Sequence, residues 1–197
     1  MRSPRVILVG GPPMAGKSTA ARQLGQRHDR AVIATDDLGV AVRAATNAAA
    51  LVREDHREYF VTRTVDELWR DALGSMRALA PAIEAVAREH AQPWGQPALI
   101  EGWAILPELL DDDPLDLARV WLLPERALVE ARMRADRSFW EGASDVETMI
   151  ERFVARSLRL NEHVREAARR KPLKLVPVRV GDSPEAIADR IEALLPS

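Results

Sequence analysis

Gly11-Pro12-Pro13-Met14-Ala15-Gly16-Lys17-Ser18, followed by Thr19, fits the pattern G-x-x-x-x-G-K-[ST]. The pattern carries meaning only where a strand precedes it and a helix follows. Val6-Ile7-Leu8-Val9, bounded by Gly10, reads as a short buried strand. Thr19 to Arg27, with Ala20, Ala21 and Leu24 at helical spacing, reads as a helix. Gly11 and Gly16 let the backbone turn tightly and approach an anion without an intervening side chain. Pro12 and Pro13 have no N–H, so the donors come from Met14, Ala15, Gly16 and onward through Lys17, Ser18 and Thr19. Those amides and the positive end of the helix dipole form an anion site. In such a loop the lysine, here Lys17, reaches the β- and γ-phosphates of a nucleoside triphosphate, and the hydroxyl of Ser18 sits on Mg²⁺.

The rest of the composition sets bounds. A chain of 197 residues, 47% hydrophobic and 29% charged, suits one globular domain with a sizeable core. A formal charge of -2 gives no general reason to expect nucleic-acid or membrane binding. Cysteine is absent, which excludes disulfides and thiolate metal sites. The first residues lead into only four strongly apolar ones, too few for a signal peptide or a membrane span, so the expectation is a cytoplasmic protein, monomer or homodimer. Basic residues are almost all arginine; lysine stands only at 17, 171 and 174.

Four further apolar runs alternate with helical patterns. Ala31–Ala34 reads as a strand running into Thr35-Asp36-Asp37-Leu38. Carboxylates there lie on the edge where open parallel sheets bind ligands. Asp36, or Asp37 as second choice, would orient an acceptor hydroxyl and take its proton; alternatively Thr35 or Asp36 caps a helix through Val40 and Val42. Arg43 either reaches an anionic acceptor or lies at the surface. Residues 38–96 read as a mostly helical acceptor-side region, with an amphipathic helix from Asp66 to His90 that Pro81 must kink or interrupt. The run from Arg53 to Glu58 reads as a solvated face.

Ala98-Leu99-Ile100 reads as a third strand ending in Glu101-Gly102-Trp103. An acid at that position would hold Mg²⁺ through water, and Trp103 either lines the acceptor pocket or packs in the core. Pro107 to Leu110 reads as a brief helix and Asp111-Asp112-Asp113-Pro114 as a solvated turn. Arg119–Leu123 reads as a fourth strand, with Pro124 opening the next helix. Arginines near its end, Arg134 and Arg137, beside Gly142-Ala143-Ser144-Asp145, suggest a lid over about 130–146 that closes on phosphates. In the helix from Val146, Arg152, Arg156, Arg159 and His163 share a polar face, read either as further lid cations or as plain solvated surface. Leu173–Val180, with Pro177, reads as an edge strand, and Glu185–Leu195 as a last helix after a loop suited to a nucleotide base.

Gly-Gly-Pro-Pro-Met-Ala-Gly-Lys-Ser-Thr at 10–19, Thr-Asp-Asp-Leu at 35–38, Ile-Glu-Gly-Trp at 100–103 and the arginines of 132–137 occur in the order seen in small P-loop kinases. The chain resembles the 2-phosphoglycerate kinase-like group, and more distantly zeta toxins, chloramphenicol phosphotransferase and gluconate and shikimate kinases. The resemblance implies an α/β P-loop fold of the nucleoside monophosphate kinase type. Its parts are a five-stranded parallel sheet of order 2-3-1-4-5, helices on both faces and a helical lid. It also implies ATP and Mg²⁺ as cofactors, a small-molecule acceptor, and an acceptor-activating carboxylate at Asp36. Related proteins often place an arginine soon after the Thr-Asp-Asp-Leu segment; here Gly39 leaves Arg43 as the nearest candidate, which counts against 2-phosphoglycerate itself. The competing classes are a non-transferring ATPase or switch and a toxin-like or antibiotic-modifying kinase. An Asn-Lys-x-Asp segment for guanine is absent, and Glu101 is followed by Gly102 rather than by the second acid usual in motor ATPases.

Overall fold

The computed structural model describes residues 4–46, 55–110, 115 and 117–196. Five strands, β1 (Val6–Gly10), β2 (Ala31–Ala34), β3 (Ala98–Gly102), β4 (Leu117–Pro124) and β5 (Lys174–Val178), form one parallel sheet. Their order is β2-β3-β1-β4-β5, as the resemblance to small P-loop kinases implies. β1 and β3 are buried at every residue, because helices cover both faces of the sheet. Side chains alternate across the pleat, so Val6 and Leu8 enter one core layer and Ile7 and Val9 the other.

Ile7 and Val9 pack with Ala20, Ala21 and Leu24 of α1 (Lys17–Arg27) and with Ile187 and Ile191 of α8 (Pro184–Glu192). Val6 and Leu8 pack with Met76 and Ile83 of α4 (Val65–Ala91) and Leu160 and Val164 of α7 (Val146–Arg170). A third cluster joins Phe60 of α3 (His56–Thr62), Leu68 at the start of α4, and Val129 and Met133 of α5 (Arg126–Ala135) to Phe153 and Val154 of α7. α2 (Thr35–Ala45) and the single turn α6 (Arg137–Trp140) complete the elements.

Several local readings change. α4 runs unbroken through Pro81: the ring removes one intrahelical bond, but the buried residues on both sides, Met76 and Ile83, hold the helix together. Its start is fixed by a capping box between Thr64 and Glu67. Pro107 to Leu110 is a turn, with Leu110 at φ 54, and not a helix. Pro124 closes β4 opposite Val178, and α5 starts after the cap Glu125, because pairing with β5 keeps the chain extended one residue longer. Neither Thr35 nor Asp36 caps α2; the cap position is Ala34, with no side-chain bond, and Thr35 already belongs to the helix. The run Asp111-Asp112-Asp113-Pro114 lies outside the described residues.

The polar face of α7 is not plain surface either. Arg159 pairs with Asp66 at 2.9 Å and His163 with Glu108 at 3.3 Å. Arg152 donates to the carbonyls of Val61 and Arg63 at the open C-terminal end of α3. The guanidinium thus satisfies helix-end acceptors that have no partner within the helix. Replacing it, Arg152→Ala, is expected to free α3 locally at a cost of about 1.5–3 kcal/mol, the usual worth of a charged hydrogen bond. In hydrogen exchange, amides of α3 should then exchange faster while those of β1 keep their protection; equal protection of α3 in both proteins refutes the clamp.

Candidate active site

The parallel register brings three chain segments to one edge. Gly10 lies level with Gly102 and with Trp121, and Val9 with Glu101, which in turn faces Ala34. The loop after β1, the turn after β3 and the start of α2 are therefore neighbours at the C-terminal ends of the three strands, the edge where open parallel sheets hold ligands. Close packing there depends on two glycines. A Cβ on Gly11, at φ 134, would come within 2.4 Å of the Leu122 carbonyl oxygen. A Cβ on Gly102 would meet the buried Thr35 hydroxyl, so a side chain at Gly102 would push the start of α2 off the sheet.

From Gly11 the loop rises to Met14, whose φ of 64 places it in the left-handed region, and whose side chain packs on the third apolar cluster. The Ala15 amide closes a turn on the Pro12 carbonyl at 3.3 Å. Gly16 is the cap residue of α1, left-handed and without a side-chain bond, and the first turn of α1 carries no acid. α3, α4, α7 and α8 are each capped by a side chain, from Asp55, Thr64, Asp145 and Ser183, whereas α2, α5 and α6, like α1, are not. The first N–H groups of α1 are thus left for an anion. Ser18 and Thr19, in that turn, are exposed.

Lys17 is 7% exposed, and its ammonium donates to the Pro12 carbonyl at 2.7 Å. Burial is the larger influence and draws its pKa down to about 8, against the opposing pull of Glu101 and then Asp36. Glu101 is buried at the end of β3. A polyphosphate and a hard divalent cation fit this set: the anion meets the helix end and the buried ammonium, and the buried carboxylate meets the cation. Among the described residues no group of three or more His, Asp or Glu could hold a metal ion.

Asp36 and Asp37 occupy the first turn of α2, exposed, where the helix dipole favours acids. Asp36 accepts a hydrogen bond from the Trp103 indole at 2.8 Å. Trp103 is not a closed core residue: with Pro13, Trp69, Met76 and Arg156 it lines a cavity of about 10 Å³ beside the loop. That is room for about one water. Arg43 folds back so that its guanidinium lies 3.3 Å from the point where a Cβ on Gly39 would be.

The arginines divide differently from their order in sequence. Arg134 is held by Glu130 and Glu147, and Arg137 pairs with Glu141; neither has a bond to the loop in this conformation. Arg132 instead donates to the Met14 carbonyl at 2.7 Å and stands over Gly16. The sequence pattern placed it in the right segment but gave no signal to select it over its neighbours. Arg156 crosses the cavity to stack on Phe60, Phe153 and Trp103, at 4.8, 5.3 and 5.8 Å from the ring centroids.

No protein-family model matches the chain, and no curated protein matches it significantly. Solved structures do resemble it. A gluconokinase from Sinorhizobium meliloti superposes with TM-score 0.57 at 18% identity, covering 98% of this chain and 92% of that one. A shikimate kinase from Bacteroides thetaiotaomicron gives 0.58 at 14% identity, over 96% and 97%. A sugar kinase from Janibacter sp. gives 0.53 at 16%, over 96% and 93%. The chain has the α/β fold of these P-loop kinases. Among the described residues no helix is long and apolar enough to cross a membrane.

Lys17 has a consequence that needs no ligand. Between pH 8 and 10.5 the unfolded chain holds this proton while the folded protein has released it, so folding stability rises with pH across that window. Set against Lys17→Met, wild type is expected to gain about 3 kcal/mol from pH 7 to pH 10.5, at 1.36 kcal/mol per pKa unit. Denaturant unfolding of both proteins across that range measures it; a constant difference means that Lys17 is not desolvated.

Proposed function

We propose that the protein is a kinase that moves the γ-phosphoryl group of ATP to a hydroxyl or acid group of a small molecule. The observation that carries this reading is the buried Lys17 ammonium at an uncapped helix start, with Glu101 and Asp36 on adjacent strand ends. The names printed for similar folds, gluconokinase, shikimate kinase and sugar kinase, support it.

The amides from Met14 to Thr19 bind the β- and γ-phosphates, and Lys17 leaves the Pro12 carbonyl to neutralise them. Mg²⁺ would be held by Ser18 and, through water, by Glu101, and when bound it offsets charge on the transferring group. Arg132, whose bond to the Met14 carbonyl supports the reading, meets the nucleotide's phosphates. Arg134 and Arg137 serve as lid cations by exchanging glutamate partners for phosphate. Asp36 takes the proton of the acceptor hydroxyl as its oxygen bonds to γ-phosphorus and the bond from γ-phosphorus to the bridging oxygen breaks, leaving ADP. Asp37, Arg43 and Trp103 line the acceptor side, which spans the helical region of about 38–96, under a lid of about 130–146. Arg156 brings that side a further cation, drawn down to about 10 by burial and so still charged at neutral pH. The cavity of about 10 Å³ must widen to admit an acceptor.

Radiolabel transfer from [γ-³²P]ATP to matched pairs, gluconate with glucitol and glycerate with glycerol, tests the reading. An acceptor is expected to raise ADP release sharply over the acceptor-free rate. Lys17→Ala should lower transfer by at least about a hundredfold, and Asp36→Asn by a similar factor with ATP affinity retained. Steady ATP turnover that no acceptor changes, or normal transfer by Lys17→Ala, overturns the assignment.

A further inference from the structure

Three arginines that share one face of α7 meet different surroundings. Arg152 donates to carbonyls at the end of α3, and Arg159 pairs with Asp66. Arg156 has no carboxylate partner among the described residues. Its guanidinium lies over the ring faces of Phe60, Phe153 and Trp103, which hold a cation in place without neutralising it. Burial draws its pKa down to about 10, so the group stays charged at neutral pH although it is desolvated. A desolvated cation lacking a counter-charge attracts an anion wherever a cavity reaches it. The cavity of about 10 Å³ beside Pro13 does reach it.

The other walls of that cavity define what such an anion must carry with it. Trp69, Met76, Trp103 and Leu160 present ring and hydrocarbon surface. The Ser157 hydroxyl donates to the Phe153 carbonyl at 2.8 Å, and the Trp103 indole N–H is spent on Asp36. Arg156 is the one charged side chain among the described lining residues. A single guanidinium balances one negative charge, and its planar fork matches a carboxylate. A ligand rich in hydroxyls would leave several of them unpaired against these walls, which weakens binding. The indole beneath Arg156 is also the one that holds Asp36, so the cation and the acceptor-side carboxylate share one ring system.

We propose that Arg156 selects the acceptor, a monocarboxylic acid with an aromatic or apolar body and a hydroxyl at its far end, in preference to a polyhydroxylated acid. The carboxylate meets Arg156, the apolar body lies along Trp69 and Trp103, and the hydroxyl reaches Asp36. Ala72, Met76 and Leu160 are closed core residues, whereas Trp69 and Trp103 are only partly buried, so the cavity widens at the two indoles. The inference rests on the reading of the protein as a kinase with Asp36 on the acceptor side, but its test measures binding and requires no transfer.

Calorimetric titration of the full chain with p-(hydroxymethyl)benzoate, its neutral counterpart p-xylylene glycol, and gluconate measures the preference, with and without Mg²⁺ and ADP. The benzoate should bind at least about tenfold more tightly than the glycol, as expected for a hydrogen bond between charged groups. It should also bind more tightly than gluconate. In Arg156→Met, which keeps an apolar side chain against the rings, the benzoate should weaken to the level of the glycol. The affinity of the glycol itself should stay within about twofold of wild type. An arginine with a purely structural role would instead lower both affinities equally. Should the methionine variant fail to fold, Arg156→Gln carries the same comparison. No binding of the benzoate, tighter binding of gluconate, or a preference for the acid that survives loss of Arg156 overturns the proposal. Failure of ADP to bind wild type counts against the kinase reading and leaves the comparison of the three ligands standing.

Discussion

A desolvated ammonium with no ion-pair partner among the described residues sets the character of this protein. Lys17 is buried at the top of β1, and the cost of that burial exceeds the attraction of two carboxylates. Directly before it, α1 begins on a left-handed glycine with no capping side chain and no acid in its first turn. These two features have the same sign and share one location. A polyanion resolves both at once, whereas a capping residue would have settled only the helix. The fold keeps the local cost because α1 is anchored elsewhere: Ala20, Ala21 and Leu24 are fully buried against the sheet, and Arg27 bonds Asp189 and Glu192.

The second constraint is how closely neighbouring strand ends must meet. In a parallel sheet the same ends of all strands lie together, so chemistry can be assembled from segments far apart in sequence. Here Glu101 lies level with Val9 and Ala34, one residue before Gly10–Gly102 and Thr35. The absence of a Cβ at Gly102 is what lets Thr35 bury its side chain there, and α2 then presents Asp36 one residue later. Positions 17, 36 and 101 are thus coupled through backbone register, which is stiffer than any side-chain contact.

The register explains what could be read from sequence. Strands that are buried on both faces appear as apolar runs, and the residue types at their C-terminal ends stand out: Gly11 to Thr19, Thr35-Asp36-Asp37, Glu101-Gly102. Each is a local pattern, legible without tertiary information. The misreadings fall where tertiary contact outweighs local signal. Pro124 looks like a helix start, but pairing with Val178 keeps it in β4. Arg132, Arg134 and Arg137 are equivalent in composition, and only packing of α5 against the loop turns Arg132 toward Met14 while glutamates engage the others. The arginine face of α7 has ordinary surface spacing, yet α3 and the start of α4 lie over it, so Arg152 meets carbonyls and Arg156 meets aromatic rings. A helix wheel shows which residues share a face; what covers that face depends on contacts about 90 residues distant in the chain.

The aromatic group around Arg156 sets the charge beside the small cavity next to the loop. Phe60 and Phe153 belong to the third apolar cluster, which also receives Met14 from the loop after β1, and Arg156 on their ring faces lines the cavity, so loop, cavity and the α3–α7 contact share one packed unit. A guanidinium on ring faces is stabilised by their quadrupoles without being neutralised, in contrast to the carboxylate pairs that hold Arg134 and Arg159. Its charge therefore remains available to the cavity, as that of Lys17 remains available to the loop. Lys17 donates to the Pro12 carbonyl, Arg156 lies on ring faces, and Asp36 accepts from the neutral Trp103 indole.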